Sequence, residues 1–349
     1  IIDIDAAYYL IHSMSASTTD FEQLEANSAK AFVKLIEQTH CKQVIYLGGI
    51  TNEKDLSKHL KSRGNVEEIL KSSSVPLTAL RAGVIVGSGS ASFEIMRDLV
   101  EKLPIMITPS WLNTKSHPIA IRNVLQFLCG VLSKSDTINK TFDIAGPEVL
   151  TYKQMLLQFG KVRGLKRYIF TVPVMTPRLS SYWLYFVTAT SYKLAVNLVD
   201  SMKVEVIAKP NGLANQLDIE LISYKGAVSR AFQRIEQNNV ISSWKDALVS
   251  SFDDNTLRQY ISVPTNGCFV DDRRKLIASE SERIIDNIWS IGGERGWYYG
   301  NFLWRIRGYM DKLFGGVGLR RGRRSPTQIT TGEAVDFWRV LLADKESGQ

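Results

Sequence analysis

The chain has 349 residues, 44% of them hydrophobic and 22% charged, with a formal net charge of +8. That balance excludes disorder, a collagen-like repeat and a small disulfide scaffold, and the length allows two hydrophobic cores. Cys41, Cys129 and Cys268 are far apart and odd in number, so they form neither a disulfide framework nor a metal-ligand spacing; the expected compartment is a reducing cytoplasm, with no metal site.

The first half alternates strand and helix patterns, the sign of an α/β fold with a parallel sheet. The apolar run at 6–11 predicts a strand covered on both faces and ends in His12-Ser13-Met14. Thr19 and Glu22 fit a capping box, and Phe21, Leu24, Phe32, Leu35 and Ile36 share one helical face. Strands are predicted at 44–49 and 77–87, with a charged helix at 55–71 between them. Helices at 92–103, 119–132 and 151–162 enclose short strands at 104–109 and 142–146. The run 177–202 reads as a buried helix. Its apolar part, 183–199, is broken by Thr188, Thr190, Ser191 and Lys193 and falls short of a membrane span. Pro210 and Gly212 mark a domain boundary at 212. Beyond it, a helix at 224–236 and a strand at 335–342 belong to an α+β unit that holds five of the seven tryptophans.

The basic charge is local. Residues 294–324 hold eight Lys/Arg against two acids, interleaved with aromatics from Trp297 to Phe314. Such a mixture can stack bases and neutralise phosphates, but no nucleic-acid module pattern lies here, so a solvated Arg-rich face on an aromatic core is the preferred reading. A strand at 6–11 that reads as interior needs parallel partners reached through crossovers. The chain is therefore expected to lack the first strands of its sheet, and the end of its second domain.

Four segments carry a family resemblance: Tyr9-Leu-Ile-His-Ser-Met14, Tyr46-Leu-Gly-Gly-Ile50, Leu80-Arg-Ala-Gly-Val-Ile-Val-Gly87 and Phe142-Asp-Ile-Ala-Gly-Pro147. In this order they resemble the atypical or extended short-chain dehydrogenase/reductases, most nearly the NmrA-like and complex I accessory-subunit-like branch. That resemblance covers about residues 1–207 and implies a Rossmann-type NAD(P)-binding domain over 1–212, with a small substrate part from about 145. Residues 213–349, through Gly292-Gly-Glu-Arg-Gly-Trp-Tyr-Tyr299, Leu303-Trp-Arg-Ile-Arg-Gly308 and Asp336-Phe-Trp-Arg339, resemble an uncharacterised domain that follows such reductases and is similar to START-like helix-grip folds. An apolar-ligand cavity there would be lined by Trp297, Tyr298, Trp304 and Trp338, although packing of tryptophans into a core is the preferred reading.

The departures matter as much. A pyrophosphate cradle needs a Gly-x-x-Gly-x-x-Gly turn; Gly83, Gly87 and Gly89 lack that spacing. Working members of the resembled family pair a Ser or Thr with Tyr-x-x-x-Lys for proton transfer during hydride chemistry. Here Gly48-Gly49-Ile50 stands where the serine would fall, with Thr51 the nearest hydroxyl, and His59-Leu-Lys-Ser-Arg63 stands where the Tyr/Lys pair would fall. His59 and Arg63 share one helix face. His59 and Thr51 are the candidate catalytic residues, and Arg63 a candidate phosphate or ribose contact; an ordinary charged helix is the plainer alternative. Ligands of open parallel sheets bind at the carboxyl ends of strands. That assigns NAD or NADP to His12, Ser13, Met14, Gly48, Gly49, Ala82, Gly83 and Val84, together with Arg63. The expected function is an oxidoreductase acting on a small organic molecule, with a non-catalytic cofactor-bound scaffold or redox sensor as the rival.

Overall fold

A computed structural model describes residues 3–11, 21–51, 58–172, 196, 199–236, 275–293, 295–313, 327–329, 334–336, 338–340, 343–345 and 348. The chain divides into two compact units, Ile1–Gln237 and Asn238–Gln349.

The first unit is built on four parallel strands: β1 (Ala6–Tyr9), β2 (Gln43–Gly49), β3 (Leu77–Ala82) and β8 (Thr141–Ile144), adjacent in the order β1-β2-β3-β8. β2 is buried almost end to end because both of its faces are covered. Val44 and Tyr46 point to one face, under α1 (Phe21–Ile36) and α2 (Lys58–Lys71), where they meet Tyr9, Ala29, Ile36, Val66 and Leu70. Ile45, between them, points to the other face, under α4 (Ile121–Gly130), with Leu80, Val124, Phe127 and Ile144. This alternation is the two-residue period of a strand packed on both sides. The result is a Rossmann-like sheet with flanking helices.

Beyond the sheet lies a lobe with its own core. It contains β4 (Ile85–Val86), α3 (Ala91–Lys102), β5 (Ile105–Pro109), β6 (Lys115–Ser116), β7 (Ile119–Ala120), β9 (Leu150–Thr151), α5 (Tyr152–Val162) and β10 (Tyr168–Val172). Ser90 caps α3, and Thr151 with Gln154 forms a reciprocal capping box on α5. Phe93, Phe159 and Phe232 pack with ring centroids 5.3–5.4 Å apart.

Phe232 belongs to α7 (Tyr224–Glu236), which follows the one-turn α6 (Leu213–Gln216). The boundary expected at 212 thus differs from the observed one. α7 buries Val228, Ala231 and Phe232 in the lobe core, and the first unit runs on to Gln237. Three further expectations differ in detail. The strand expected over 77–87 is two strands, β3 and β4, parted at Gly83-Val84. β1 pairs only with β2 among the described residues, and Tyr8 is exposed rather than covered. The strand expected at 335–342 is a small antiparallel pair, β11 (Ala334–Val335) and β12 (Trp338–Arg339), turning through Asp336 at φ +52°; 341–342 lie outside the described residues.

The second unit also contains α8 (Ser281–Trp289) and α9 (Asn301–Leu313), so its described part is mainly helical. The capping box at Thr19 lies outside the described residues, as does most of 177–202. No helix among the described residues is long and apolar enough to cross a membrane.

Candidate functional site

The register aligns the carboxyl ends of the sheet. Gly49 lies opposite Ala82, Ala82 opposite Ile144, and Tyr9 opposite Tyr46, so the tips of β1, β2, β3 and β8 form one rim. Gly48, Gly49, Ala82, Gly83 and Val84 come together there. His12, Ser13 and Met14, which continue β1, lie outside the described residues.

The first turn of α2 sits on this rim. A Cβ on Gly49 would lie 3.1 Å from Leu60 Cδ2, so Leu60 rests on the tip of β2. His59, the residue before it, therefore starts its helix beside that tip; its side chain is outside the described atoms. Thr51 is half-buried, and its methyl group lies 3.8 Å from where a Cβ on Gly64 would stand, which sets it against the same helix.

Arg63, one helical turn after His59, is buried. Its Nη1 donates to the Ile11 carbonyl at 3.0 Å and its Nη2 to the Leu47 carbonyl, so it ties the ends of β1 and β2 together. The guanidinium lies 5.0 Å from the Tyr46 ring centroid, and the Tyr46 hydroxyl donates to the Arg63 carbonyl at 3.0 Å. Arg63 is thus at the rim, as expected, but its donors go to backbone oxygens. Beside it, Ser62 Oγ donates to the buried Glu25 carboxylate at 2.5 Å, joining α2 to α1. Burial raises the pKa of both Tyr9 and Tyr46, and the Glu25 charge adds to it. Both phenols stay protonated and act as packing groups.

Gly83 and Gly146 are glycines for a local reason. A Cβ on Gly83 would stand 2.6 Å from the His117 carbonyl oxygen, and one on Gly146 would stand 2.6 Å from that of Pro118. The His117-Pro118 backbone therefore threads between the tips of β3 and β8. It is held by Gly146 N donating to Pro118 O, His117 N to Val206 O, and Ile119 N to Val84 O, each at 2.9 Å. The space left by the missing Gly83 side chain is filled by the chain itself. Burial lowers the His117 pKa, partly opposed by the Gly146 backbone, and among the described residues its Nδ1 has no hydrogen-bond partner.

Sequence reasoning missed the charged group behind the rim. Arg81 of β3 makes a two-pronged bond to Glu67 of α2, Nε to Oε2 at 2.7 Å and Nη2 to Oε1 at 2.8 Å, and Lys71 Nζ lies 2.9 Å from the same carboxylate. Desolvation pushes the Glu67 carboxyl up, but the Arg81 and Lys71 hydrogen bonds outweigh it and hold the carboxyl below its ordinary range. The only available signal was a charged residue, Arg81, inside an apolar strand.

In the second unit Trp297, Trp304 and Trp338 do gather, with centroids 5.2–6.5 Å apart, and Trp297 Nε1 donates to Asp336 at 2.8 Å. The Tyr298 hydroxyl instead donates to the Asn287 carbonyl at 2.7 Å. The three indoles pack on one another, and Trp338 remains half-exposed to solvent.

Comparison with curated proteins gives no match. Residues 265–347 match the family described as a protein of unknown function (DUF2867). Among solved structures, the chain is similar to the triphenylmethane reductase of Citrobacter sp. complexed with NADP(H), at 15% identity over 65% of this chain and 77% of that one, TM-score 0.51. It is similar to an NADPH-dependent quinone oxidoreductase of Escherichia coli complexed with NADPH, at 16% identity over 62% and 75%, TM-score 0.50. It is also similar to a nucleoside-diphosphate-sugar epimerase of Staphylococcus aureus, at 12% identity over 65% and 76%, TM-score 0.50. Over somewhat less than two thirds of its length the chain shares the fold of these two reductases and this epimerase.

Proposed function

We propose that this protein binds a nicotinamide dinucleotide at the rim and is a reductase-like member of the atypical short-chain class, acting on a small carbonyl or quinone-like molecule. The observation that carries this reading is the first turn of α2, with His59 in it, seated on Gly49 at the tip of a parallel sheet. Leu60 lies over Gly49 and the His117 carbonyl fills the space beside Gly83, but Gly48, Gly49 and Ala82 still put little side-chain bulk at the tips of β2 and β3, where a flat ring and a ribose would lie. They suit the nicotinamide end of the cofactor; the chain has no Gly-x-x-Gly-x-x-Gly turn for the pyrophosphate.

When bound, a nicotinamide supplies or accepts hydride. In the catalytic reading, His59 moves the accompanying proton near neutral pH and Thr51 holds the substrate oxygen. One observation favours a second, non-catalytic reading as a cofactor-bound scaffold. Gly48-Gly49 offers no hydroxyl, and Arg63, standing where the lysine would, spends its donors on Ile11 and Leu47.

Calorimetric titration of the intact protein with NADPH and NADH tests the binding. Saturable binding of either supports the proposal, and failure of both sinks it. Turnover on a carbonyl and quinone panel, reduced about a hundredfold or more by His59→Ala, selects the enzyme. Binding without turnover selects the scaffold.

A further inference from the structure

The lobe of the first unit holds a groove of about 690 Å³ between the end of β4, the start of α4 and α7. Small-molecule sites span roughly 300–1,000 Å³. Its base is made of small buried residues, Ala120, Ala227 and Ala231. Ile121 and Leu125 on one wall keep about half of their apolar surface exposed. Ser88, Ser229 and Gln233 add polar groups, and no aspartate or glutamate lines it.

Two arginines complete the lining: Arg122 in the first turn of α4 and Arg230 on α7. Elsewhere in this unit the described guanidinium groups are engaged. Arg63 and Arg167 hold backbone carbonyls, and Arg81, Arg97 and Arg163 hold carboxylates. Among the described residues, Arg122 and Arg230 have no hydrogen bond or ion pair. Among the described residues of the unit, the two guanidiniums without a hydrogen bond or ion pair thus line the same acid-free groove, brought there by two different helices.

We propose that this groove binds a small organic anion, its carboxylate or phosphate held by Arg122 and Arg230 and its apolar body on Ile121 and Leu125. Planar guanidiniums present paired donors that match either anion. The groove shares no lining residue with the strand-tip rim, so the proposal does not depend on nucleotide binding there.

The test uses 8-anilinonaphthalene-1-sulfonate, an aromatic sulfonate, titrated into the full chain and followed by its fluorescence, with benzoate and inorganic phosphate as competitors. Saturable binding is expected, weakened about tenfold by Arg122→Gln and by Arg230→Gln, and further by the double variant. Thermal midpoints should stay unchanged, since neither side chain has a partner to lose among the described residues. Stronger displacement by benzoate identifies a carboxylate ligand, and by phosphate a phosphoryl ligand. The proposal is overturned if the dye does not saturate, if neither anion displaces it, if the double variant binds as tightly as the parent, or if Lys166→Gln, outside the groove, weakens binding equally.

Discussion

At the residue scale, two buried charged groups brace the rim, and each gives a measurable consequence. The folded Glu67 carboxyl titrates below its unfolded value, about 4.3, because Arg81 and Lys71 favour its charged form more than burial opposes it. Its contribution is therefore fully present above that value and is lost as pH falls through the folded pKa. Glu67→Gln should lower stability at pH 7 by roughly 3 kcal/mol by stranding a half-buried guanidinium. It should also flatten the acid limb of stability against pH, as read by urea midpoints from pH 3 to 7. Arg63→Lys should cost about 2 kcal/mol in the same measurement, since an ammonium cannot reach both the Ile11 and Leu47 carbonyls or lie flat on Tyr46. A lysine as stable as the parent would show that the clamp is not structural.

At the element scale, most of the sheet could be read from residue pattern because each strand carries its own signal. The runs at 44–49 and 142–146 are rich in apolar residues and end in glycine, and both are strands within a residue or two. β10 was missed: Tyr168, Phe170 and Thr171 read as strand only once β5, some sixty residues earlier, lies beside them. The break between β3 and β4 was equally hidden, since it depends on the His117 carbonyl occupying the space beside Gly83. The strand-tip glycines were legible as a rim, whereas the role of Arg63 as a tie between strands required knowing where Ile11 and Leu47 end up. Asn123 is a similar case. Its amide donates to the Glu220 carbonyl and accepts from Ile222 N, both at 2.8 Å, pinning the 219–222 segment to α4. Asn123→Ala removes both of these bonds to the backbone of the 219–222 segment. It should destabilise the protein by about 2–3 kcal/mol and raise amide exchange at Ile222; exchange unchanged from the parent would contradict this anchor.

At the scale of the whole molecule, the two compact units should unfold separately. Five of the seven tryptophans, from Trp244 to Trp338, fall in the second unit, while the four-stranded sheet and the helices covering it belong to the first. Tryptophan emission and far-ultraviolet circular dichroism should therefore give different denaturation midpoints, and superimposed curves would mean one cooperative transition. Ligand at the strand-tip rim should shift chiefly the transition seen by circular dichroism.

The all-parallel sheet also governs how the protein is made. No pair among its four strands can close as a hairpin, because every return to the same direction needs a crossover. β3 must wait for Thr141–Ile144 to leave the ribosome before its second edge is paired, and until then Ala79 and Leu80 face solvent or a chaperone. Slowing translation within 83–140 should lengthen that interval and increase the aggregated share of newly made chains.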